Sequence, residues 1–255
     1  MNSPLAYVLL AFALSIAGGL LGTSLGTSHK RLCALISLGA GTLLGVTVFA
    51  ILPEIWLGLP WWGVLLGLGS GYAVFGIISK YIYHVCPACA ASHFDEATTH
   101  RFSEIATAMM FALGVHCTAD GLALAAGHEA QASHAPGGHV LDLSLVVAIC
   151  VHKVPEGLAL GALLLGAGLK GAGVILRVAG VEATTILGGL VGWYFFQRVS
   201  PVWLDAVVAH AGGGFFFLAI HAVFGEILKH HKALVLANFA AGFSVIGILA
   251  LLLRL

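Results

Sequence analysis

Charge is what this chain has least of. Only 11 Lys and Arg and 11 Asp and Glu are spread over 255 residues, 9% of the total, against 60% apolar residues. A soluble domain carries roughly 25% charged residues, so a water-exposed globular surface is excluded. The two signs cancel to a formal net charge of zero. Without a basic face, nucleic acid is excluded as a partner. Cysteine is scarce: five residues, at 33, 86, 89, 117 and 150, do not make the disulfide framework of a secreted domain. No Lys or Arg precedes Lys30, so the first apolar run, Leu5 to Leu25, lacks the basic start of a cleaved signal peptide and reads as a retained span. Nothing resembles a Walker A phosphate loop, and ATP hydrolysis in this chain is not indicated.

What remains is long apolar runs, reflected in a mean hydropathy of +1.03. A span takes about 20 apolar residues, and eight segments meet that length: 4–25, 33–53, 60–83, 104–126, 142–168, 172–196, 202–227 and 233–253. The expectation is one all-α polytopic membrane domain over 1–255, with longer connections after the third and fourth spans. Lys30, Arg31, Lys80, Arg101, Lys170, Arg177, Lys229 and Lys232 fall at one set of alternating connections; only Arg198 and Arg254 fall at the other, and Lys153 lies within a span. Basic residues mark the cytoplasmic side. Both termini are therefore expected outside the cytoplasm of a cell (inner) membrane, with the 84–103 connection in the cytosol.

Within these runs one decapeptide occurs twice. Val-His-Cys-Thr-Ala-Asp-Gly-Leu-Ala-Leu (115–124) returns as Val-His-Lys-Val-Pro-Glu-Gly-Leu-Ala-Leu (151–160). In each copy a His precedes a carboxylate by four residues, which puts both on one helix face. An ionisable group inside a bilayer costs on the order of 2.5–3.5 kcal/mol on insertion scales unless compensated. Four such groups in register therefore point to a site. Spans four and five run antiparallel, so their midpoints meet, and His116, Asp120, His152 and Glu156 form an N2O2 set suited to Zn(II) and tolerant of Fe(II), Mn(II), Co(II) or Cd(II). Pro155 removes a backbone hydrogen bond between His152 and Glu156, and the freed carbonyl must be satisfied locally or line a wet cavity. Gly121 and Gly157 allow close helix approach. A weaker repeat lays 39–54 over 211–226, with Gly41/Gly213, Ala50/Ala222 and Glu54/Glu226 identical; inverted repeats with polar groups at the midplane are a transporter signature.

His116-Cys-Thr-Ala-Asp120-Gly121 and His152-Lys-Val-Pro155-Glu156-Gly157 resemble the fourth- and fifth-helix signatures of the ZIP (Zrt/Irt-like) divalent-metal transporters. Leu-Pro-Glu at 52–54, Val-Glu182-Ala in span six, eight spans, outward termini and a His-bearing third connection extend the resemblance over nearly the whole chain. It implies eight helices in a 3+2+3 arrangement, Zn(II) or a similar ion as cargo moved toward the cytosol, a site between helices four and five, and elevator-like alternating access.

The two copies differ where family members with a two-metal centre carry Asn and a carboxylate. Here those positions are Cys117 and Lys153. Lys153 cannot ligate while protonated, so the expectation is one bound metal, with Lys153 as charge substitute paired with Glu182 and Glu156. Cys117, next to His116, points about 100° away from it and reads as a soft ligand or a small buried hydrophobe.

Pathway candidates are Glu54 at the outer end of span two, and His221 and Glu226 toward the inner end of span seven, ahead of His230 and His231. Asp205 and His210, in the outer half of span seven, are only loosely co-facial. In the cytosolic connection His84, Cys86, Cys89, His93 and His100 have metal-ligand spacing, and the cytosol keeps thiols reduced. His128, Glu129, His134 and His139 are assigned to a flexible outward connection, as a weak metal-capturing or simply solvated loop. The expected partners are a divalent ion and the lipid bilayer, with a homodimer compatible, and no organic cofactor. The expectation is a transporter, not an enzyme; the competing class is an intramembrane zinc-dependent hydrolase, against which stands the lack of His-Glu-x-x-His. A retinal-type protein using Lys153 is the remote third.

Overall fold

The computed structural model describes residues 4–25, 29–81, 99–134, 140–227 and 232–252. They form α1 (Pro4–Leu25), α2 (His29–Val46), a π-helical turn (Thr47–Ile51), α3 (Leu52–Gly58), α4 (Trp61–Tyr81), α5 (Thr99–His134), α6 (Val140–Gly166), α7 (Gly171–Phe196), α8 (Pro201–Ile227) and α9 (Lys232–Leu252). Seven stretches are long and apolar enough to cross a membrane: α1, the α2–α3 run, α4, α6, α7, α8 and α9. The chain is accordingly an all-helical integral membrane protein. Among the described residues α5 is the longest helix and is not in that set. Like α6, it bears one copy of the repeat, with His116 and Asp120 one turn apart.

Two expected boundaries move. Because α5 begins at Thr99, residues 99–103 of the expected 84–103 connection are helical, His100 among them. At its other end α5 continues through His128, Glu129 and His134, which corrects their placement in a flexible connection. Ala, Glu and Gln dominate that stretch and are good helix formers, and extending a helix already nucleated in the span is cheap. The π turn was not expected either. Pro53 lacks an N–H and its ring collides with a carbonyl one turn back. The chain widens there, with the Leu52 N–H donating to the Thr47 carbonyl.

Close contacts fix the helix directions. Gly18 lies on Val154 and Gly22 on Leu158, so α1 and α6 are parallel; Gly188 on Thr118 and Gly192 on Ala125 make α7 parallel to α5. Gly41 on Phe239 and Gly45 on Ile246 do the same for α2 and α9, and Gly67 on Ala209 with Gly71 on His210 for α4 and α8. The antiparallel pairs are α1 with α7, from Gly19 on Val178 and Gly189 on Val8, and α2 with α6, from Gly39 on His152 and Thr42 facing Ala148. Thr47 facing Gly212 and Gly58 against Asp205 set α8 against the α2–α3 run. Successive long helices therefore alternate in direction, and the described chain begins and ends on one side.

These pairings make two four-helix bundles, α1/α5/α6/α7 and α2–α3/α4/α8/α9, which meet mainly where α2 crosses α6 and α5 crosses α8. Exchanging α1 with α7, α2 with α8, α4 with α9 and α5 with α6 maps every extensive pairing onto another or onto itself. The match holds at residue level. Gly157 abuts the Ser15 carbonyl as Gly121 abuts that of Thr185, and Gly41 abuts Phe239 as Gly213 abuts Leu68. Exchanged helices run in opposite directions, so the fold is an inverted repeat. Lipid tails are as apolar as Leu, so backbone approach through small residues holds such helices together.

The outward faces are apolar, and all five tryptophans are exposed at one end of the molecule: Trp56, Trp61 and Trp62 around the α3–α4 junction, Trp193 in the last turn of α7, and Trp203 in the first turn of α8. Lys30, Lys80, Lys170, Arg177 and Lys232 lie toward the opposite end.

Candidate metal centre

The two copies of the repeat face each other across the antiparallel α5–α6 crossing. On α5, His116 and Asp120 are one turn apart; on α6, His152 and Glu156 are. All four side chains are buried, and each offers a ligand atom within 4.8 Å of the other three. His116 Nε2 stands 3.4 Å from Asp120 Oδ2 and 3.8 Å from Glu156 Oε2; His152 Nε2 stands 3.2 and 3.7 Å from the same two oxygens. A tetrahedral ion with metal–ligand bonds of about 2.0–2.1 Å would separate its ligands by about 3.3 Å. Small shifts of these four side chains would meet that spacing.

A backbone carbonyl orients one of the imidazoles. His152 Nδ1–H donates to the Ala148 carbonyl at 3.0 Å, which leaves the Nε2 lone pair aimed at the Asp120 and Glu156 oxygens in the neutral ring. Phe75 leans edge-on against His116 from the second bundle, with ring centroids 6.1 Å apart. Gly39 lies against His152 and within reach of Pro155, so α2 walls the site where no side chain would fit. Buried Asp120 Oδ1 and His116 Nδ1 have no hydrogen-bond partner among the described residues.

Lys153 takes the place beside these ligands. Fully buried, it puts Nζ 3.0 Å from Asp120 Oδ2, 3.0 Å from Glu156 Oε2 and 3.1 Å from Glu182 Oε2, and donates to Cys117 Sγ at 3.1 Å. The expected pairings with Glu182 and Glu156 are present. Those with Asp120 and Cys117 were not foreseen, because only the crossing brings α5 to Lys153. Cys117 turns away from His116, as its spacing requires, and its thiol donates to Glu156 Oε1 at 3.2 Å and lies 3.5 Å from Glu182 Oε2. Cys117, Glu156 and Glu182 form a second group with metal-ligand spacing. By formal charge, three carboxylates and one ammonium sum to minus two, which one divalent cation would balance.

The remaining candidates lie elsewhere. Glu54 is half-buried in the first turn of α3, and His221 stacks on Phe217 with centroids 5.3 Å apart. Neither belongs to the cluster. Asp205 is buried against Gly58, and His210 Nδ1 hydrogen-bonds Ser70 at 2.9 Å. Glu226 and His100 lie on helices, but their side chains are outside the described residues, as are His84, Cys86, Cys89, His93, His139, His230 and His231. Sequence reasoning passed over Ser15 and Thr185, buried at equivalent points of the two crossings next to the site. Their signal was the constant offset that also relates Gly18 to Gly188 and Gly19 to Gly189. No protein-family model and no curated protein matches the chain.

Proposed function

We propose that this protein is a ZIP-like secondary transporter that moves Zn(II) or a related divalent transition metal toward the cytosol through a single-ion site between α5 and α6. One observation carries the reading: two His and two carboxylates, from antiparallel copies of one sequence, converge in the buried centre of an apolar-faced helical molecule. Glue between helices would need one His–carboxylate pair. Two pairs in register, with a charge deficit equal to one dication, fit a cargo.

The architecture supports movement of the site as a unit. Every ligand belongs to the α1/α5/α6/α7 bundle, whereas four of the five tryptophans sit on the other bundle. Tryptophan anchors a helix at the membrane interface. The α2–α3/α4/α8/α9 bundle then stays fixed while its neighbour slides, an elevator-like exchange. All eight long helices cross the bilayer in this reading, α5 included, because His116 and Asp120 at its middle face α6 rather than lipid.

Uptake into proteoliposomes tests the function. Vesicles carrying the purified protein are expected to accumulate Zn(II) down its gradient, with Fe(II), Mn(II), Co(II) and Cd(II) defining selectivity; uptake no faster than in protein-free vesicles would overturn it. Orientation has its own test. A membrane-impermeant maleimide is expected to label Arg198→Cys in intact cells and Lys170→Cys only after permeabilisation. The reverse pattern would place the termini in the cytoplasm.

A further inference from the structure

Asp120 Oδ2 and Glu156 Oε2 each face two positions. On one side they meet Nε2 of His116 and His152, at 3.2–3.8 Å; on the other, the Lys153 ammonium, at 3.0 Å from both. Glu182 Oε2 and Cys117 Sγ, each at 3.1 Å, complete a four-cornered shell around Nζ. The ammonium thus fills a cation position of its own, tethered to α6 and sharing two oxygens with the neighbouring one. Lysine suits this place as a compact charge on a flexible stem, with three rotatable donors to share among these partners.

The inverted repeat shows that this tether is an addition to the symmetric core. Opposite Lys153 in the other copy stands Cys117, and opposite Glu182 on α7 stands Phe12 on α1. The His and carboxylate ligands obey the two-fold relation; Lys153 and Glu182 break it together, as a cation and its anchor. Were the pair only a clasp between α6 and α7, Nζ would need Glu182 alone. Instead it reaches as far as the two oxygens that bound the metal position.

We propose that Lys153 is an internal competitor of the cargo, setting how weakly the divalent ion is held and how fast it leaves. In a poorly polarisable interior a positive charge a few ångströms from a dication acts strongly on it. When the ion binds, Asp120 and Glu156 turn from the ammonium toward the metal, and Glu182 holds the displaced charge. When the ion departs, the ammonium recovers both oxygens, so they are never left bare. The mechanism rests on the transport reading above and specifies how its site releases cargo.

Equilibrium Zn(II) binding to the purified protein, paired with proteoliposome uptake, tests it. Lys153→Met is expected to bind about tenfold or more tightly, and to show a lower KM together with slower maximal uptake. Glu182→Gln is expected to shift affinity the other way, because the ammonium then leans wholly on Asp120 and Glu156. A purely structural lysine predicts weaker binding in both variants; that result, or unchanged affinity in Lys153→Met, overturns the proposal. If Lys153→Met fails to fold, Lys153→Gln and Glu182→Gln carry the same opposed signs. Should wild-type protein bind Zn(II) but transport none, while the opposed shifts persist, the transport reading falls and the competition stands.

Discussion

Gly157→Leu and Gly121→Leu are each expected to abolish the folded molecule or to lower its thermal stability sharply. A Cβ at 157 would run into the carbonyl of Ser15, and one at 121 into that of Thr185. Neither obstacle is the end of a flexible side chain that could step aside. The α1–α6 and α5–α7 crossings would have to open, separating helices that hold the two halves of the metal centre. Inserting even a methylene or two into a packed interior costs about 1–3 kcal/mol, and leucine at a backbone contact exceeds that. Gly69→Leu and Gly180→Leu serve as controls, since nothing lies within 4 Å of either Cβ position. Thermal unfolding in detergent, followed by size-exclusion chromatography, reads the difference. Equal losses at all four positions would show that close helix approach is not what these glycines provide.

Removal of a metal ligand is expected to have the largest effect on function. His152→Ala and Glu156→Ala should each weaken Zn(II) binding by more than about 100-fold, since the partners that merely orient such ligands are already worth about 10–100-fold. Uptake should fall to background with them. Of the two, Glu156→Ala also strips an anion from the buried Lys153, and breaking a buried ion pair costs about 3–5 kcal/mol. It should therefore lose stability as well as metal, whereas His152→Ala loses chiefly metal. Glu54→Ala and His221→Ala, outside the cluster, should alter KM and leave binding stoichiometry unchanged. Undiminished uptake in both ligand variants would refute the site.

The grouping of the four candidate ligands was legible because helical periodicity is a local rule. Four residues between His and carboxylate place them on one face whatever the rest of the chain does, and the second copy doubles the signal. The apolar spans and the alternation of Lys and Arg were legible for a similar reason, since the bilayer imposes length and charge rules on each segment separately. The π turn before Pro53 was less so: proline announces an irregularity, but not which of several backbone adjustments resolves it. The helical run through His134 was misread because His and Gly suggested a loop, while Ala, Glu and Gln favoured continuation of α5.

Lys153 shows most clearly where local reading stops. Its type and place within a span identified it as a cation among ligands and paired it with Glu182 and Glu156. Contact with Asp120 and Cys117 depends on the angle and depth at which α5 crosses α6, and those follow from glycines on α1 and α7 that touch neither residue. By itself, then, the sequence determined which groups are available, that they come in two matched pairs, and that they lie inside apolar helices. The tertiary structure decided that parallel partners seat the pairs at equal depth, that their oxygens lie between two imidazoles and an ammonium, and that all of this belongs to one bundle. Periodicity and hydropathy act along a single helix; register between helices is set only where backbones touch.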